Sequence, residues 1–336
     1  MSLPSWGIVA TLDEPATLVA AFVGYHLSIG AREIHVFFDR PAPEAMALIA
    51  PLPGVKITLA DQAFWDEVNA GHRPKHIMKR QAIITRIAYR QAQVDWLLHC
   101  DADEFIADGE AFTALLEAQD KDVSALRLGM LERVHIAGSP RNTIFQGAFR
   151  RSKHRVKTWG EVVYGQHLKF LTNGMTGHDL GKGVARTGRD LRLGIHGVHW
   201  REGGLVGAEV APDMLLHFDG LTQYQFLMKL MLRAGEKGNL DNSARIGTHR
   251  SHQVRFVHKH MDDPQALRDF ADTLQVVGQA DLRLMRRHGA IDMVPFEPFD
   301  ALSALGLDLD LSTDAFDASL KERAPKLAAM MPKGIW

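Results

Sequence analysis

The sequence contains one cysteine, Cys100, among 336 residues. A single cysteine cannot form an intramolecular disulfide, so a disulfide-stapled fold is excluded and a reducing compartment is indicated. The sequence also lacks any run approaching the roughly 20 apolar residues that cross a bilayer. Its first residues, MSLPSWGIVATLDEP, have neither the basic start nor the apolar stretch of a signal peptide. We therefore expect a cytoplasmic protein and leave open a peripheral attachment to the inner face of the membrane.

An excess of basic residues is absent as well. The 39 Lys and Arg residues against 40 Asp and Glu give a formal net charge of -1, which argues against a broad nucleic-acid-binding surface. Apolar residues make up 46% and charged residues 24%, the proportions of an ordinary soluble globular protein. The length suits one large domain with an appendage, or two domains.

The first third of the chain alternates between strand-like and helix-like segments. Asp13 is expected to cap the first helix, with Pro15 in its first turn, and Gly30 is expected to end it. A longer helix is predicted around residues 75–93, which carry apolar residues on one side. The predicted strands are residues 7–12, 33–39, 55–60 and 95–100. This order predicts an α/β fold, a mostly parallel sheet with helices on both faces.

The predicted secondary structure changes twice in the rest of the chain. Residues 124–136 are predicted to be β-structure, and residues 177–200 are predicted to be loop and short strand. From about residue 220 the pattern is helical, and a shift in composition at 235–245 predicts a boundary between residues 1–235 and a helical C-terminal extension, 236–336. The charge run at 149–157, FRRSKHRVK, is either a solvated surface or a patch that attracts anionic donors, acidic lipid or a phosphate-bearing acceptor.

Acidic residues gather where the fourth predicted strand ends, in DWLLHCDADEFI. In an extended backbone Asp101 and Asp103 would point to the same side, and converging carboxylates repel each other unless a cation lies between them. Carboxylate oxygens suit Mg²⁺ or Mn²⁺, which keep positions open for substrate phosphates. Asp39 ends the second strand, and ligands of such sheets bind beyond the carboxyl ends of the strands. The alternative is a solvated acidic turn without a cation.

Three blocks together resemble the glycosyltransferases of the family 2 type, in the branch with a strand ending in D-x-D-E-F. They are RQAIITRIAYRQAQVDWLLHCDADEFI, GKGVARTGRDLRLGIHGVH and LLHFDGLTQYQFLMKL, and they occur in the family's order. The resemblance implies a GT-A-type, Rossmann-like sheet over about the first 230 residues and does not cover the helical tail. It further implies a D-x-D motif that binds Mn²⁺ or Mg²⁺, which holds the diphosphate of a nucleotide-sugar donor.

The resemblance also implies roles for single residues. Around the nucleoside, Asp39 would receive the base or ribose, and Thr11, Glu14, Arg80 and Gln81 would face the same pocket. Around the diphosphate, Asp101 would face ribose and metal, Asp103 would bind the metal directly, and His199 or its neighbour His196 would complete the metal site. Lys182 and Arg186 would hold the pyrophosphate. His217 and Lys229 both match the closing block. His217 is counted among the donor-binding residues for that reason only, and Lys229 has no assigned role. The closing block departs from the family's usual His-Tyr pair.

Sugar transfer from a nucleotide diphosphate builds negative charge on the leaving diphosphate, which a metal and basic groups stabilise. The resemblance alone implies inversion, and an inverting enzyme needs a carboxylate that deprotonates the acceptor hydroxyl. Glu161, in TWGEVVYG, is the preferred candidate over Asp179 and Glu132. Glu104 is the second residue assigned to the catalytic set, where it would orient the turn or the sugar. The expected acceptor is a surface polysaccharide or a lipid-linked glycan.

Two other functions stay open at this point. A catalytically silent nucleotide-sugar-binding protein would carry the same motifs and lack only the base. A phosphatase of the haloacid-dehalogenase kind also has D-x-D after an apolar strand, although there it normally follows the first strand. The helical tail would cap the acceptor cleft, form a homodimer or lie on a membrane. Cys100 is expected to be a buried small hydrophobe.

Overall fold

The computed structural model describes residues 3–152, 156–235 and 247–335. Part of the charge run at 149–157 and part of the composition shift at 235–245 lie outside these residues. The described helices are α1 (Ala16–Ser28), α2 (Pro43–Ile49), α3 (Gln62–Asn69), α4 (Ile77–Gln91), α5 (Gly109–Glu117), α6 (Lys157–Tyr164), α7 (Gln223–Gly235), α8 (Thr248–Lys259), α9 (Pro264–Gln275), α10 (Gln279–Arg287), α11 (Phe299–Ala304), α12 (Thr313–Arg323) and α13 (Pro325–Ala328), with a 3₁₀ helix at Gly165–Phe170.

The described strands cover most of the segments that the sequence marks as β-structure. They are β1 (Trp6–Leu12), β2 (Glu33–Phe38), β3 (Val55–Leu59), β4 (Trp96–His99), β5 (Glu104–Ile106), β6 (Ala125–Ile136), β7 (Ala148–Arg151), β8 (Lys182–Arg186), β9 (Leu191–Leu193), β10 (Val198–Trp200), β11 (Glu209–His217), β12 (Val276–Val277) and β13 (Ile291–Asp292). These elements fold into two compact units, each made of three stretches of the chain.

The first unit consists of Met1–Gly129, Leu180–Leu215 and Glu297–Leu309. Its sheet runs β8-β4-β1-β2-β3, and the four strands β1 to β4 are parallel to one another. Strand β8 is antiparallel to β4, and the first residues of β6 are antiparallel to β8. The predicted α/β class, a mostly parallel sheet with helices, is confirmed.

Apolar runs explain why these segments become central strands. Every residue of β1 and β2 is buried, because helices cover the sheet. Gly7 of β1 has no room for a side chain, since a Cβ there would lie 2.6 Å from the Glu33 carbonyl oxygen. Helix α4 places Ile84 and Ala88 in one core cluster with Val9 of β1. This packing fixes the carboxyl ends of β1, β2 and β4 at the same edge.

The second unit consists of Met130–Asp179, Leu216–Phe296 and Asp310–Trp336. Strand β7 pairs antiparallel with the later part of β6 and with β13, and β12 lies parallel to the end of β6. Aromatic rings form much of its core. Phe170 contacts Phe256 and Phe270, with ring centroids 5.6 and 5.0 Å apart, and Phe218 contacts Phe145 at 5.3 Å. The unit is therefore built from segments far apart in sequence.

Three sequence expectations differ from this fold. Helix α1 begins at Ala16 with Pro15 at its cap, so Asp13 is not the N-cap and instead forms an ion pair with Arg40 at 2.8 Å. Helix α3, capped by Asp61, is absent from the sequence prediction. The two units interleave along the chain, whereas the sequence predicts one boundary near residue 235. Among the described helices, none is both long enough and apolar enough to span a bilayer.

Candidate functional site

The acidic turn, residues Asp101–Glu104, joins the carboxyl end of β4 to the start of β5. The Glu104 amide donates to the Asp101 carbonyl at 3.0 Å, and the Asp101 amide donates to the Glu104 carboxylate at 2.9 Å. The chain therefore turns here, which corrects the expectation that Asp101 and Asp103 share one side of an extended backbone. Asp103 is half-buried in the middle of the turn, and Glu104 is fully buried at its end.

Lys182 of β8 supplies a cation to this turn from inside the protein. Its Nζ atom lies 2.6 Å from Asp101 Oδ2, 2.9 Å from Glu104 Oε2 and 3.5 Å from His99 Nδ1. An ammonium group has three N–H donors, and here each has an acceptor. Burial would lower the pKa of Lys182, but the carboxylates of Asp101 and Glu104 raise it well above its ordinary value. Lys182 is therefore a charged group with no exposed surface.

His99, the last residue of β4, is a neutral partner in this cluster. Burial and the charge of Lys182 lower the pKa of His99 to about 3. Because a lysine can only donate, Nδ1 of His99 accepts and its Nε2, 3.9 Å from Asp101 Oδ1, carries the proton. The adjacent Cys100 is buried, as expected, and burial raises the pKa of its thiol.

Helix α4 contributes two neighbouring side chains to this edge of the sheet. The amide group of Gln81 donates to Asp101 Oδ1 at 2.9 Å, so Asp101 is held from both sides. Arg80 donates two hydrogen bonds to the Asp39 carboxylate, both at 2.7 Å, and Arg73 adds an ion pair at 3.0 Å. Two further bonds from Arg80, to the carbonyls of residues 74 and 75, come from its Nη1 atom. Arg80 is thus a buried partner of Asp39.

Thr11 is the penultimate residue of β1, and Glu14 lies just after the end of that strand. Thr11 pairs with Phe37 in the sheet, and the Asp39 amide donates to the Leu12 carbonyl at 3.0 Å. The Thr11 hydroxyl is buried and has no hydrogen-bond partner among the described residues. Glu14 accepts a hydrogen bond from the Asp13 amide at 2.6 Å. The structure therefore gathers Thr11, Asp39 and the acidic turn on the carboxyl ends of adjacent strands.

The two basic residues assigned to the pyrophosphate have partners within the protein. Lys182 has no donor left after its three contacts in the acidic turn, so that assignment does not agree with the structure. Arg186 pairs with Trp96 at the beginning of β4, the end remote from Asp101. Its guanidinium group stacks on the Trp96 ring at 4.3 Å and donates to backbone carbonyls of residues 120 and 123. Arg186 therefore holds a loop at the opposite edge of the sheet.

The two histidines of the second motif block differ in position. His196 contacts the carbonyl of Gly181, immediately before Lys182, at 3.2 Å. Its charge would also act on His99, so it lies on the side of the acidic turn. His199 is in β10, which pairs with β9, and its Nε2 faces Gly194. Of the two histidines predicted as alternatives for the metal site, His196 is the one that lies beside the start of β8.

The remaining predicted residues belong to the second unit. Glu161 is exposed on α6. Glu132 is fully buried, where it accepts hydrogen bonds from Arg150 at 2.5 and 3.0 Å and from the amides of Thr176 and Gly177. His217 lies 3.8 Å from Glu132, stacked against His178. Asp179 is bonded to Ser152 and Asn173. These contacts assign Glu132 to an internal ion pair.

A divalent metal at the acidic turn would have few protein ligands. No three His, Cys, Asp or Glu side chains in the described part of the chain are grouped to hold a metal, so Asp101, Asp103 and His199 do not form a three-residue site there. The donor set still fits Mg²⁺ or Mn²⁺, because these ions are often held by one or two carboxylates plus substrate phosphates and water. Asp103 and the one-third exposed side chain of Asp101 provide such oxygens.

Sequence reasoning missed His99 and Arg73, and it missed the partner of Lys182. The antiparallel register of β8 against β4, with Val184 opposite Leu98, puts Lys182 across from the end of β4. That register follows from contacts between distant segments. No pattern within either segment specifies it.

No family model and no curated protein matches the sequence. Among solved structures, the chain is similar to the mannosyltransferase PcManGT from Pyrobaculum calidifontis in complex with GDP-Man and Mn²⁺, with 13% identity and a TM-score of 0.36 over 98% of this chain and 88% of that one. It is similar to TarS 1–349 of S. aureus, with 11% identity and a TM-score of 0.32 over 80% and 81%.

A third similar structure is glucosyl-3-phosphoglycerate synthase from Mycobacterium tuberculosis in complex with Mn²⁺, UDP and glucosyl-3-phosphoglycerate. The identity is 13% and the TM-score 0.29, over 55% of this chain and 57% of the synthase. The chain therefore spans just over half the length of that enzyme.

Proposed function

We propose that this chain is a glycosyltransferase that moves a sugar from a nucleotide-diphosphate donor to an acceptor hydroxyl with the help of a divalent metal. One observation carries the proposal. The D-x-D-E-F motif forms a turn at the carboxyl end of β4, in a parallel sheet where Thr11 lies near the end of β1 and Asp39 directly follows β2. Ligands of parallel sheets bind at this edge, and the three motif blocks resemble one family in the same order.

In this proposal the donor lies across the ends of β1, β2 and β4. The nucleoside would lie near Asp39 and Thr11, at the carboxyl ends of β2 and β1. Arg73, with more than a third of its side chain exposed beside Asp39, is a cation near this edge. We do not assign Lys182 and Arg186 to the diphosphate in this proposal, because both are engaged by partners within the protein. Gln81 and Lys182 would act on the donor only by holding Asp101.

The metal would be held by Asp103 and by Asp101. When bound, Mn²⁺ or Mg²⁺ supplies positive charge that stabilises the leaving diphosphate. The residues of the chain orient this site: Gln81 and Lys182 hold the two oxygens of Asp101, and the Glu104 carboxylate closes the turn through the Asp101 amide. Glu104 is thereby a positioning residue of the turn.

The identity of the acceptor and the stereochemistry of the transfer are proposed from the motif resemblance. An inverting transfer to a surface polysaccharide or a lipid-linked glycan, by a cytoplasmic or peripherally membrane-bound enzyme, is the version that the motif resemblance favours. Glu161 is the carboxylate that we propose as base, since its side chain is exposed on α6.

A catalytically silent nucleotide-sugar-binding protein is the second candidate, and one observation favours it. Glu104 is fully buried and bonded to Lys182, so it cannot accept a proton from an acceptor hydroxyl without breaking that pair. The first unit would then have no base among the residues predicted for catalysis. The two candidates share donor binding and differ in turnover.

Thermal-shift screening of UDP- and GDP-sugars, each with and without Mn²⁺, tests the shared part. A donor at about 100 times its Kd should stabilise the folded chain by about 2.7 kcal/mol. Donor hydrolysis in the presence of Mn²⁺ then separates the candidates, because only an enzyme releases the nucleotide diphosphate. Stabilisation without release of nucleotide under any acceptor supports the silent binding protein. The absence of stabilisation by every nucleotide-sugar overturns both.

A further inference from the structure

The acidic turn already contains a cation of its own. The ammonium group of Lys182 is fully buried and lies between one oxygen of Asp101 and one of Glu104, at 2.6 and 2.9 Å. A buried carboxylate pair without a counter-ion is strongly unfavourable. Lys182 therefore offsets part of the negative charge of the turn from within the protein.

The same ammonium group repels a second cation that approaches the turn. A divalent metal bound to the outer oxygen of Asp101 would share this carboxylate with Lys182, whose charge is weakly screened because the group has no contact with solvent. The third neighbour of the ammonium is the imidazole of His99, a group that does not carry negative charge. The protein thus presents to a metal only part of the negative charge that the motif contains.

We propose that Lys182 is the resident counter-ion of the acidic turn and that it excludes a divalent metal from the donor-free protein. The metal then binds together with the diphosphate of the donor, whose negative charges offset the repulsion from Lys182. This second clause depends on the proposed function, whereas the exclusion itself concerns only the protein and the metal. Because coupling between two ligands is reciprocal, the metal raises the affinity for the diphosphate by the same factor.

Mn²⁺ titrations of the full chain, followed by the EPR signal of free Mn²⁺, test the exclusion without any donor or activity. The wild-type chain should leave Mn²⁺ free. The variant Lys182→Met, which removes the ammonium group and keeps an unbranched side chain one atom shorter, should bind Mn²⁺ at least about tenfold more tightly. Lys121→Met, at an exposed lysine of the same unit, is the matched control and should behave as the wild type.

Lys182→Met leaves two carboxylates without their counter-ion, which lowers the stability of the fold. The double variant Lys182→Met/Glu104→Gln removes one of those charges and keeps Asp101 and Asp103, so it provides a second test. It too should bind Mn²⁺ more tightly than the wild type. Tight Mn²⁺ binding by the donor-free wild type, or equal affinities in a folded charge-removed variant and the wild type, overturns the proposal.

A second titration contains UDP or GDP with the wild type. We expect Mn²⁺ binding to appear with the nucleotide and to strengthen it by about tenfold or more. If neither nucleotide binds under any condition, the proposed function fails, while the donor-free comparison of Lys182→Met still decides the role of Lys182. If the nucleotide binds equally well without Mn²⁺, the coupling is absent and the second clause is wrong.

Discussion

The residues of the acidic turn and their partner Lys182 differ in how deeply they are buried. Glu104 and Lys182 are fully buried and bonded to each other, whereas Asp103 lies half-buried in the middle of the turn. We therefore expect substitutions of Asp103 to affect ligand binding with little effect on folding, and substitutions of Glu104 or Lys182 to affect both.

Asp103→Asn should weaken Mn²⁺-dependent binding of UDP or GDP by about 100-fold, because it removes a full charge within a few ångströms of the metal. The unfolding temperature of the nucleotide-free chain should stay close to that of the wild type. Calorimetric titration with and without Mn²⁺ measures the affinity, and Asp122→Asn, at an exposed aspartate of the same unit, is the control. Unchanged affinity in Asp103→Asn would exclude this carboxylate as a metal ligand.

Glu132 illustrates a buried acid with a structural role. Glu132→Gln leaves the guanidinium of Arg150 uncompensated in the core of the second unit, which should lower the free energy of unfolding by about 3–5 kcal/mol. Glu161→Gln, at an exposed position on α6, should change it by less than about 0.5 kcal/mol. Urea unfolding compares the two variants, and equal stability would show that Glu132 and Arg150 are not a closed internal pair.

The roles of single residues were the part of the site that was hardest to predict from the sequence. Arg80 and Asp39 both belong to predicted elements, but their mutual pairing depends on how α4 lies over β2. Lys182 and Arg186 are four residues apart on one short strand and end at opposite edges of the sheet. A motif match carries over the residue type, whereas the strand register decides which of two basic residues reaches the acidic turn.

At the scale of elements, the apolar runs that mark β1, β2, β3 and β4 predicted these strands to within one or two residues. Strands β1, β2 and β4 are buried throughout, whereas β3 at the edge of the sheet is mostly half-buried. Capping was harder to predict. Asp13 has the chemistry of an N-cap, but Pro15 occupies that position and Asp13 pairs with Arg40 instead. The turn at residues 101–104 was also not predicted, because a D-x-D sequence can adopt either an extended or a turned backbone.

Helix α12 carries a pH-dependent contact with the start of α7. Burial raises the pKa of Asp317 to about 6, although its hydrogen bond from Thr222 acts in the opposite sense. The folded state then holds a proton more tightly than the unfolded one. Ionised Asp317 destabilises the fold fully above about pH 6, and this effect disappears as the pH falls towards the unfolded value near 4.

Asp317→Asn should therefore raise the free energy of unfolding by about 1–2 kcal/mol at pH 7.5, because it removes the buried charge and keeps the acceptor for Thr222. Below about pH 4 the variant and the wild type should be equally stable. Denaturant unfolding across pH 4–8 measures the difference, with Asp314→Asn, exposed on the same helix, as the control. A stability difference that does not change with pH would contradict the buried-charge explanation.

At the scale of the whole molecule, the chain is two units whose segments alternate along the sequence. The composition shift near residue 235 lies within one unit, because the helices α7 and α8 on either side of it both belong with residues 130–179. Phe170 packs against Phe256 and Phe270, and Arg150 donates to the Leu274 carbonyl. Contacts of this kind join positions about 100 residues apart, so no local pattern reveals them.

A chain ending at residue 235 should therefore fold poorly, because it lacks α8 and α9 and exposes the Phe170 side of the second unit. We expect aggregation or strong binding of a hydrophobic dye, measured against the full chain. Coexpression with residues 236–336 as a separate chain should restore solubility. A soluble fragment 1–235 with the full chain's unfolding temperature would instead support the single boundary predicted from composition.

The central claim is that the acidic turn receives a metal together with the diphosphate of a nucleotide-sugar. Anomalous diffraction from crystals soaked with MnCl₂ and UDP or GDP tests it most directly. We predict a manganese peak in contact with the Asp103 carboxylate and bridging to the diphosphate, with Lys182 still bonded to Asp101 and Glu104. Nucleotide bound elsewhere, or no manganese at the turn in crystals that contain the nucleotide, would contradict the claim.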